Sequence, residues 1–203
     1  MMKHSIKWMI IIILFSSCKS KNIEKNLEKC VFYNYSNSLL DDYTLDNIDY
    51  YKDILLVENS FIKNSILSNS EQDSYKKLIY NLNNINKEKA IKIINDINNS
   101  FEKQKMPKFE TILTSDVLNC ITKFYSKKNI KNKHPIIIIG MGFDKLKYNF
   151  ESKDNLDWMF YVIDKKDFDK KIFHSFYVIS VYLYLLEISN LNMLIPTPSP
   201  HTK

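Results

Sequence analysis

This chain of 203 residues contains two glycines and no arginine. Average glycine usage is about 7%, and glycine-rich phosphate loops and closely wound α/β folds depend on that residue. Because every basic residue is a lysine, the bidentate guanidinium fork that reads nucleic acid and clamps phosphate is missing. These absences disfavour nucleic-acid binding and favour a helix-rich fold.

Recognisable catalytic patterns are also scarce. The sequence has no His-Glu-x-x-His, Cys-x-x-Cys or Gly-x-Ser-x-Gly motif, so the usual signatures of zinc peptidases, thiol redox enzymes and hydrolases are absent. Of the four histidines, only His134 and His174 lie in the body of the chain. A nucleophile pair would require Cys120 with His174 or Cys30 with His134, and we expect neither.

Two further patterns resemble functional motifs only weakly. Gly140-Met141-Gly142 follows an apolar run but lacks the third glycine of a dinucleotide fingerprint, so it predicts a tight turn after a strand. The carboxylate groups Asp41-Asp42 and Asp164, Asp167 and Asp169 do not have the spacing of a calcium loop, and they suit a loop and a helix start. We therefore expect no enzyme activity, no cofactor and no metal site.

The first eighteen residues have the layout of a secretory signal peptide. A basic start with Lys3 and Lys7 precedes the apolar run from Trp8 to Phe15, and Ser16-Ser17-Cys18 closes it. The run is about half of the ~20 residues that a spanning helix needs, which disfavours a transmembrane anchor. The small residues before Cys18 resemble the lipobox of bacterial lipoproteins. That resemblance implies cleavage after residue 17, lipid on Cys18, and attachment to the outer or inner membrane of a bacterial cell envelope, facing the periplasm or the cell surface.

The charge of the mature chain is mild. Loss of Lys3 and Lys7 with the signal leaves 27 lysines against 23 acidic residues, a net charge of +4. The richness in lysine, asparagine and isoleucine resembles the composition of AT-rich Bacteroidetes genomes, so it indicates origin more than a binding task. The lysine cluster from Lys123 to Lys133 either complements a helix end or touches anionic headgroups or an acidic partner.

Two cysteines remain if Cys18 carries lipid. Cys30 and Cys120 can form a disulfide, because an exported protein lies in a compartment where disulfides persist. The alternative is that both are small buried apolar residues.

The expected organisation is a signal peptide at 1–17, a lipid anchor and flexible tether at 18–29, a single globular domain at 30–195 and a disordered proline-rich tail at 196–203. Apolar residues at helical spacing predict six helices, at about 48–58, 70–82, 86–101, 117–125, 155–163 and 168–189. The last one could instead be a central strand, since it is rich in β-branched and aromatic residues. Short strands are candidates at Cys30 to Tyr33, Phe109 to Leu113 and Ile136 to Ile139.

The predicted fold is mainly α, with α+β left open: a compact domain of about five to six helices with at most a small sheet. The predicted function is that of a membrane-anchored envelope lipoprotein that binds a protein partner or serves as an accessory module. Two alternatives stay open, an immunity protein against an envelope-targeting toxin and an envelope hydrolase with an unrecognised site.

Overall fold

The computed structural model describes residues 23–39, 49–113, 115–125, 134–148 and 153–189. Over these ranges every regular element is helical, which confirms the prediction of a compact, mainly α domain. A 3-10 turn, Leu82–Asn84, links the third and fourth helices. The α-helices are α1 (23–37), α2 (Tyr50–Lys63), α3 (Gln72–Tyr80), α4 (Lys87–Lys103), α5 (Phe109–Ile112), α6 (Ser115–Tyr125), α7 (Pro135–Tyr148), α8 (Lys153–Val162), α9 (Lys165–Phe168) and α10 (Lys171–Ser189).

Helix α10 is the centre of the domain. It packs against α2, α4, α7 and α9, and its residues from Phe176 to Leu186 are buried without exception. Its buried serines are satisfied within the helix, as Ser180 Oγ donates to Phe176 O at 2.7 Å. By length and composition alone this helix could cross a membrane, but 83% of that stretch is buried inside the domain. The helical interpretation of the segment is therefore correct, and the strand alternative is wrong.

The amphipathic helices predicted from the sequence are present, and two have side-chain caps. Asp49 accepts hydrogen bonds from the backbone N–H groups of Tyr51 and Lys52 at the start of α2, at 3.1 and 3.2 Å. Asn86 accepts one from Lys89 N at 2.9 Å at the start of α4. Both caps satisfy donors that a helix leaves unpaired in its first turn.

The candidate strands are helices in the structure. Cys30 to Tyr33 lies inside α1, Phe109–Ile112 is the single turn α5, and Ile136 to Ile139 lies inside α7. The apolar residues of segments this short fit a strand or a buried helix equally well, and all three segments are helical in the packed domain. These three helices and the short α9 account for ten helices in the described ranges, where about six were expected.

The expected turn at Gly140 to Gly142 is also wrong, because both glycines lie in the middle of α7. A Cβ atom at Gly142 would overlap the side chain of Met159 on α8. Gly142 therefore serves close packing of α7 on α8, and not a change of chain direction.

The folded part begins earlier than the sequence indicated. Residues 23–29, expected in the flexible tether, are helical and belong to α1. Leu27, Val31 and Tyr35 repeat every four residues along α1 and are fully buried, so this end of the helix belongs to the core. The signal peptide at 1–17, Cys18 and the tail at 196–203 lie outside the described residues.

Candidate functional site

An open groove of about 340 Å³ runs between α2 and the start of α10. Apolar side chains from α2 form much of its wall, and Lys52 and Lys171 stand at its rim. The lining residues are Asp49, Tyr51, Lys52, Ile54, Leu55, Glu58, Lys171 and His174.

Two of the lining residues, Glu58 and His174, belong to a hydrogen-bonded cluster. Glu58 Oε1 lies 2.8 Å from His174 Nε2 and accepts a bond of 2.7 Å from the hydroxyl of Tyr75. The imidazole also packs edgewise against the rings of Tyr75 and Phe168, with centroids 5.5 and 4.8 Å away. Contacts on several sides thus hold His174 in one orientation.

The electrostatics of the cluster favour an ionised glutamate. Burial acts to raise the pKa of Glu58, but the hydrogen bond and charge of His174 and the bond from Tyr75 outweigh it, so the pKa lies below its usual value. A histidine beside a carboxylate can transfer protons. The cluster therefore places an ionised carboxylate and an oriented imidazole side by side in the wall of the groove.

An exposed apolar surface adjoins the groove, and we call it the α1–α2 surface. It consists of the exposed Phe32 from α1 and Leu55 from α2, together with the partly buried Tyr51 of α2. The Phe32 ring lies 5.2 Å from the Tyr51 ring in an edge-on contact, and Leu55, one turn beyond Tyr51, is 49% exposed. Residues four apart share one helix face, so the three side chains form a continuous patch.

Tyr51 is held in place from two sides. Its hydroxyl donates a hydrogen bond to Glu28 on α1, and Lys171 Nζ lies 5.6 Å from its ring centroid in a cation–π contact. Such fixing lowers the conformational entropy that the side chain would lose on binding a partner.

The structure joins Cys30 of α1 to Cys120 of α6 in a disulfide, with Cα atoms 5.8 Å apart. This is the pairing that the sequence left open beside two buried thiols. Because both sulfurs are in the bridge, neither can serve as a thiolate for His134 or His174. The histidines have other partners: His174 binds Glu58, and His134 Nδ1 accepts from Ile136 N at 3.2 Å at the start of α7.

The remaining candidate residues do not assemble into a centre. Asp167 binds Lys170 Nζ at 2.8 Å, while Asp164 and Asp169 are exposed at the two ends of α9. Asp41 and Asp42 lie outside the described residues. Within the part of the chain that is described, no group of three or more histidine, cysteine, aspartate or glutamate side chains could hold a metal ion.

The Glu58 cluster was not predicted from the sequence, although a signal for it existed. Glu58 lies four residues after Ile54 and three before Phe61 in α2, and a carboxylate at helical spacing from apolar residues that become buried needs hydrogen-bond partners. The pattern does not name those partners, because His174 lies 116 residues away in the chain.

Comparison of the chain with protein-family models, with curated proteins and with solved structures finds no match.

Proposed function

We propose that this protein is a lipid-anchored module of the bacterial cell envelope that binds a protein partner through the α1–α2 surface and the adjoining groove. The observation that carries the proposal is the continuous apolar patch formed by the exposed Phe32 and Leu55 and the partly buried Tyr51 beside an apolar groove. The anchor is lipid on Cys18, which the signal-peptide pattern supports. Partner and anchor together would make the protein an accessory subunit or, if the partner is a toxin, an immunity protein.

The chemistry of the surface suits a protein better than a small polar ligand. Aromatic side chains supply large contact areas with few rotatable bonds, and they are enriched at the centres of interfaces. The groove is open and mainly apolar, so it can receive one or two apolar side chains of a partner. Lys52 and Lys171 at the rim favour an acidic residue next to them.

Partner binding is tested by affinity capture from native envelope extract. The full chain, tagged at its carboxyl end and extracted in mild detergent, serves as bait. We expect one protein in near-stoichiometric amount, and we expect its loss with Leu55→Asp, which places a charge in the centre of the patch. Tyr80→Ala is the matched control, since Tyr80 on α3 is 72% exposed and lies outside the groove lining. A partner captured equally by Leu55→Asp would exclude this surface as the binding site.

The anchor has a separate test. Mass spectrometry of the protein from native membranes should show a chain that begins at Cys18 and carries the mass of attached acyl chains. Cys18→Ala should release the protein from the membrane fraction. If the variant stays in that fraction with an unchanged mass, the lipid anchor is excluded.

A further inference from the structure

We propose that the anchored domain lies against the anionic phospholipid headgroups of its own leaflet through a face formed by the end of α8 and by α9. This inference rests on the proposed lipid anchor at Cys18 and adds an orientation to it. We call this surface the α8–α9 face, and it consists of Trp158, Tyr161, Val162, Lys165 and Lys166.

The connection to the membrane is short. The structure describes α1 from residue 23 onward, five residues after Cys18. A chain spans at most about 3.6 Å per residue whatever its conformation, so lipid on Cys18 keeps the start of α1 within about 18 Å of the membrane surface. Groups next to the start of α1 are therefore held close to the headgroups.

Helix α9 adjoins the part of α1 that is described nearest to Cys18. Lys170 Nζ binds Glu24 Oε1 of α1 at 2.6 Å and Asp167 Oδ1 of α9 at 2.8 Å. Asp167 follows Lys165 and Lys166 directly, and both lysines are exposed. The part of α1 nearest to the lipidated residue and the two exposed lysines therefore lie at the same corner of the domain.

The composition of the face suits the membrane–water interface. Trp158, Tyr161 and Val162 have the spacing i, i+3, i+4 on α8 and so share one side of that helix. Tyr161 is 60% exposed and Val162 is also exposed, while Trp158 is partly buried. Tryptophan and tyrosine favour the membrane–water interface, and each lysine near an anionic surface contributes about 1 kcal/mol of attraction. Asp164 and Asp169 flank the lysines, but their side chains are shorter, so the ammonium groups can extend further towards the headgroups.

A second exposed tyrosine on α3 provides a contrast. Gln72, at the start of α3, donates to Ile163 O at 2.8 Å next to the α8–α9 face. At about 1.5 Å per residue, α3 carries Tyr80 roughly 12 Å away, and the start of α4 follows beyond it. Tyr80, Lys87 and Lys89 are exposed there, and they serve as controls of the same chemistry.

The test uses Trp158, which is the only tryptophan after residue 17. The chain from residue 18 is coupled through the Cys18 thiol to a maleimide phospholipid, since Cys30 and Cys120 are bridged. It is then bound to phosphatidylcholine vesicles, with or without phosphatidylglycerol, in which part of the lipid carries brominated acyl chains. We expect strong quenching of Trp158 fluorescence with phosphatidylglycerol, and weaker quenching without it or at high salt.

Substitutions then identify the face. Lys165→Gln with Lys166→Gln should weaken docking about 30-fold, because each lysine accounts for about fivefold, and Tyr161→Ala should weaken it further. Lys87→Gln with Lys89→Gln and Tyr80→Ala should leave quenching unchanged. An unquenched Trp158 on phosphatidylglycerol vesicles would overturn the proposal. An equal loss of quenching in the Lys165/Lys166 and Lys87/Lys89 double variants would overturn it as well.

This design separates the two proposals. The synthetic lipid supplies the anchor, so docking is measured whether or not cells acylate Cys18. Absence of acyl mass on Cys18 in native membranes would refute the proposed anchor alone. Absence of quenching in the vesicles would refute the α8–α9 docking face alone.

Discussion

The hydroxyl of Tyr35 on α1 donates a hydrogen bond of 2.8 Å to the carboxylate of Asp53 on α2, and both residues are buried. The same kind of bond joins Tyr75 to Glu58 at 2.7 Å and Tyr182 to Glu110 at 2.7 Å. In a chain without arginine, tyrosine hydroxyls thus satisfy carboxylates that face the interior. Each bond also links two different helices and helps to set their register.

Asp53 should make the domain more stable in mild acid than near neutrality. Burial raises the pKa of Asp53 from 3.8 to about 6, against the opposing bond from Tyr35. A carboxyl with a raised pKa in the folded state contributes stability that is full below its unfolded value and is lost as pH rises through the folded value. We therefore expect the unfolding free energy of the native protein, relative to Asp53→Asn, to fall between about pH 4 and pH 6. Urea unfolding of both proteins over that pH range measures the difference. A difference in unfolding free energy that does not change with pH would contradict the prediction.

Glu58 should have the opposite effect. Its pKa is lowered, because the bonds from His174 and Tyr75 outweigh the effect of burial, so its contribution is present above its ordinary value of 4.5 and is lost as pH falls below it. We expect Glu58→Gln to cost about 1–3 kcal/mol near neutral pH and progressively less in acid. Glu102→Gln on the exposed side of α4 is the control and should have little effect at any pH. A constant penalty for Glu58→Gln from pH 3 to pH 7 would be inconsistent with the lowered pKa.

The disulfide should contribute a large part of the stability. Cys30 and Cys120 are 90 residues apart, and closing a loop of that length stabilises by roughly 4 kcal/mol in the chain-entropy model. Reduction with dithiothreitol should lower the unfolding free energy by roughly 4 kcal/mol. The variant with both Cys30→Ser and Cys120→Ser should match the reduced protein and should not respond to the reductant. An unchanged denaturation midpoint on reduction would show that the bridge contributes nothing.

Gly142→Ala should destabilise the contact between α7 and α8. The added methyl group would overlap Sδ and Cγ of Met159, and overpacking of this kind costs typically about 1–3 kcal/mol. Met159→Ala removes the overlapping atoms, so the double variant should lose less stability than the sum of the two single losses. Thermal or urea unfolding of the three variants measures this coupling, and simple additivity would mean that the two residues do not compete for space.

The helical content could be predicted where apolar residues recur over several turns. Tyr75, Leu78, Ile79 and Leu82 mark α3, and Ala90, Ile94, Ile97 and Phe101 mark α4, because a period of 3.6 residues is a local property that the sequence displays directly. The strands predicted at Ile136 to Ile139 and Phe109 to Leu113 are helices, since segments of four or five residues are too short for their apolar pattern to distinguish a strand from a buried helix. The charged start of α1 resembles a tether in sequence, because Ile23 and Leu27 are the only apolar residues between residues 19 and 29.

Local pattern was thus enough to establish a mainly helical domain, and it supports the prediction that Cys18 carries lipid. It could not establish the Glu58–His174 contact, the bridging of Cys30 and Cys120 in place of two buried thiols, or the patch that Phe32 forms with Tyr51 and Leu55. These contacts join residues that are far apart in the chain, and they exist only once α1, α2, α6 and α10 pack together. The sequence also left helix and strand open for α10. It is a helix in the structure, where neighbouring helices enclose its apolar side chains on all sides.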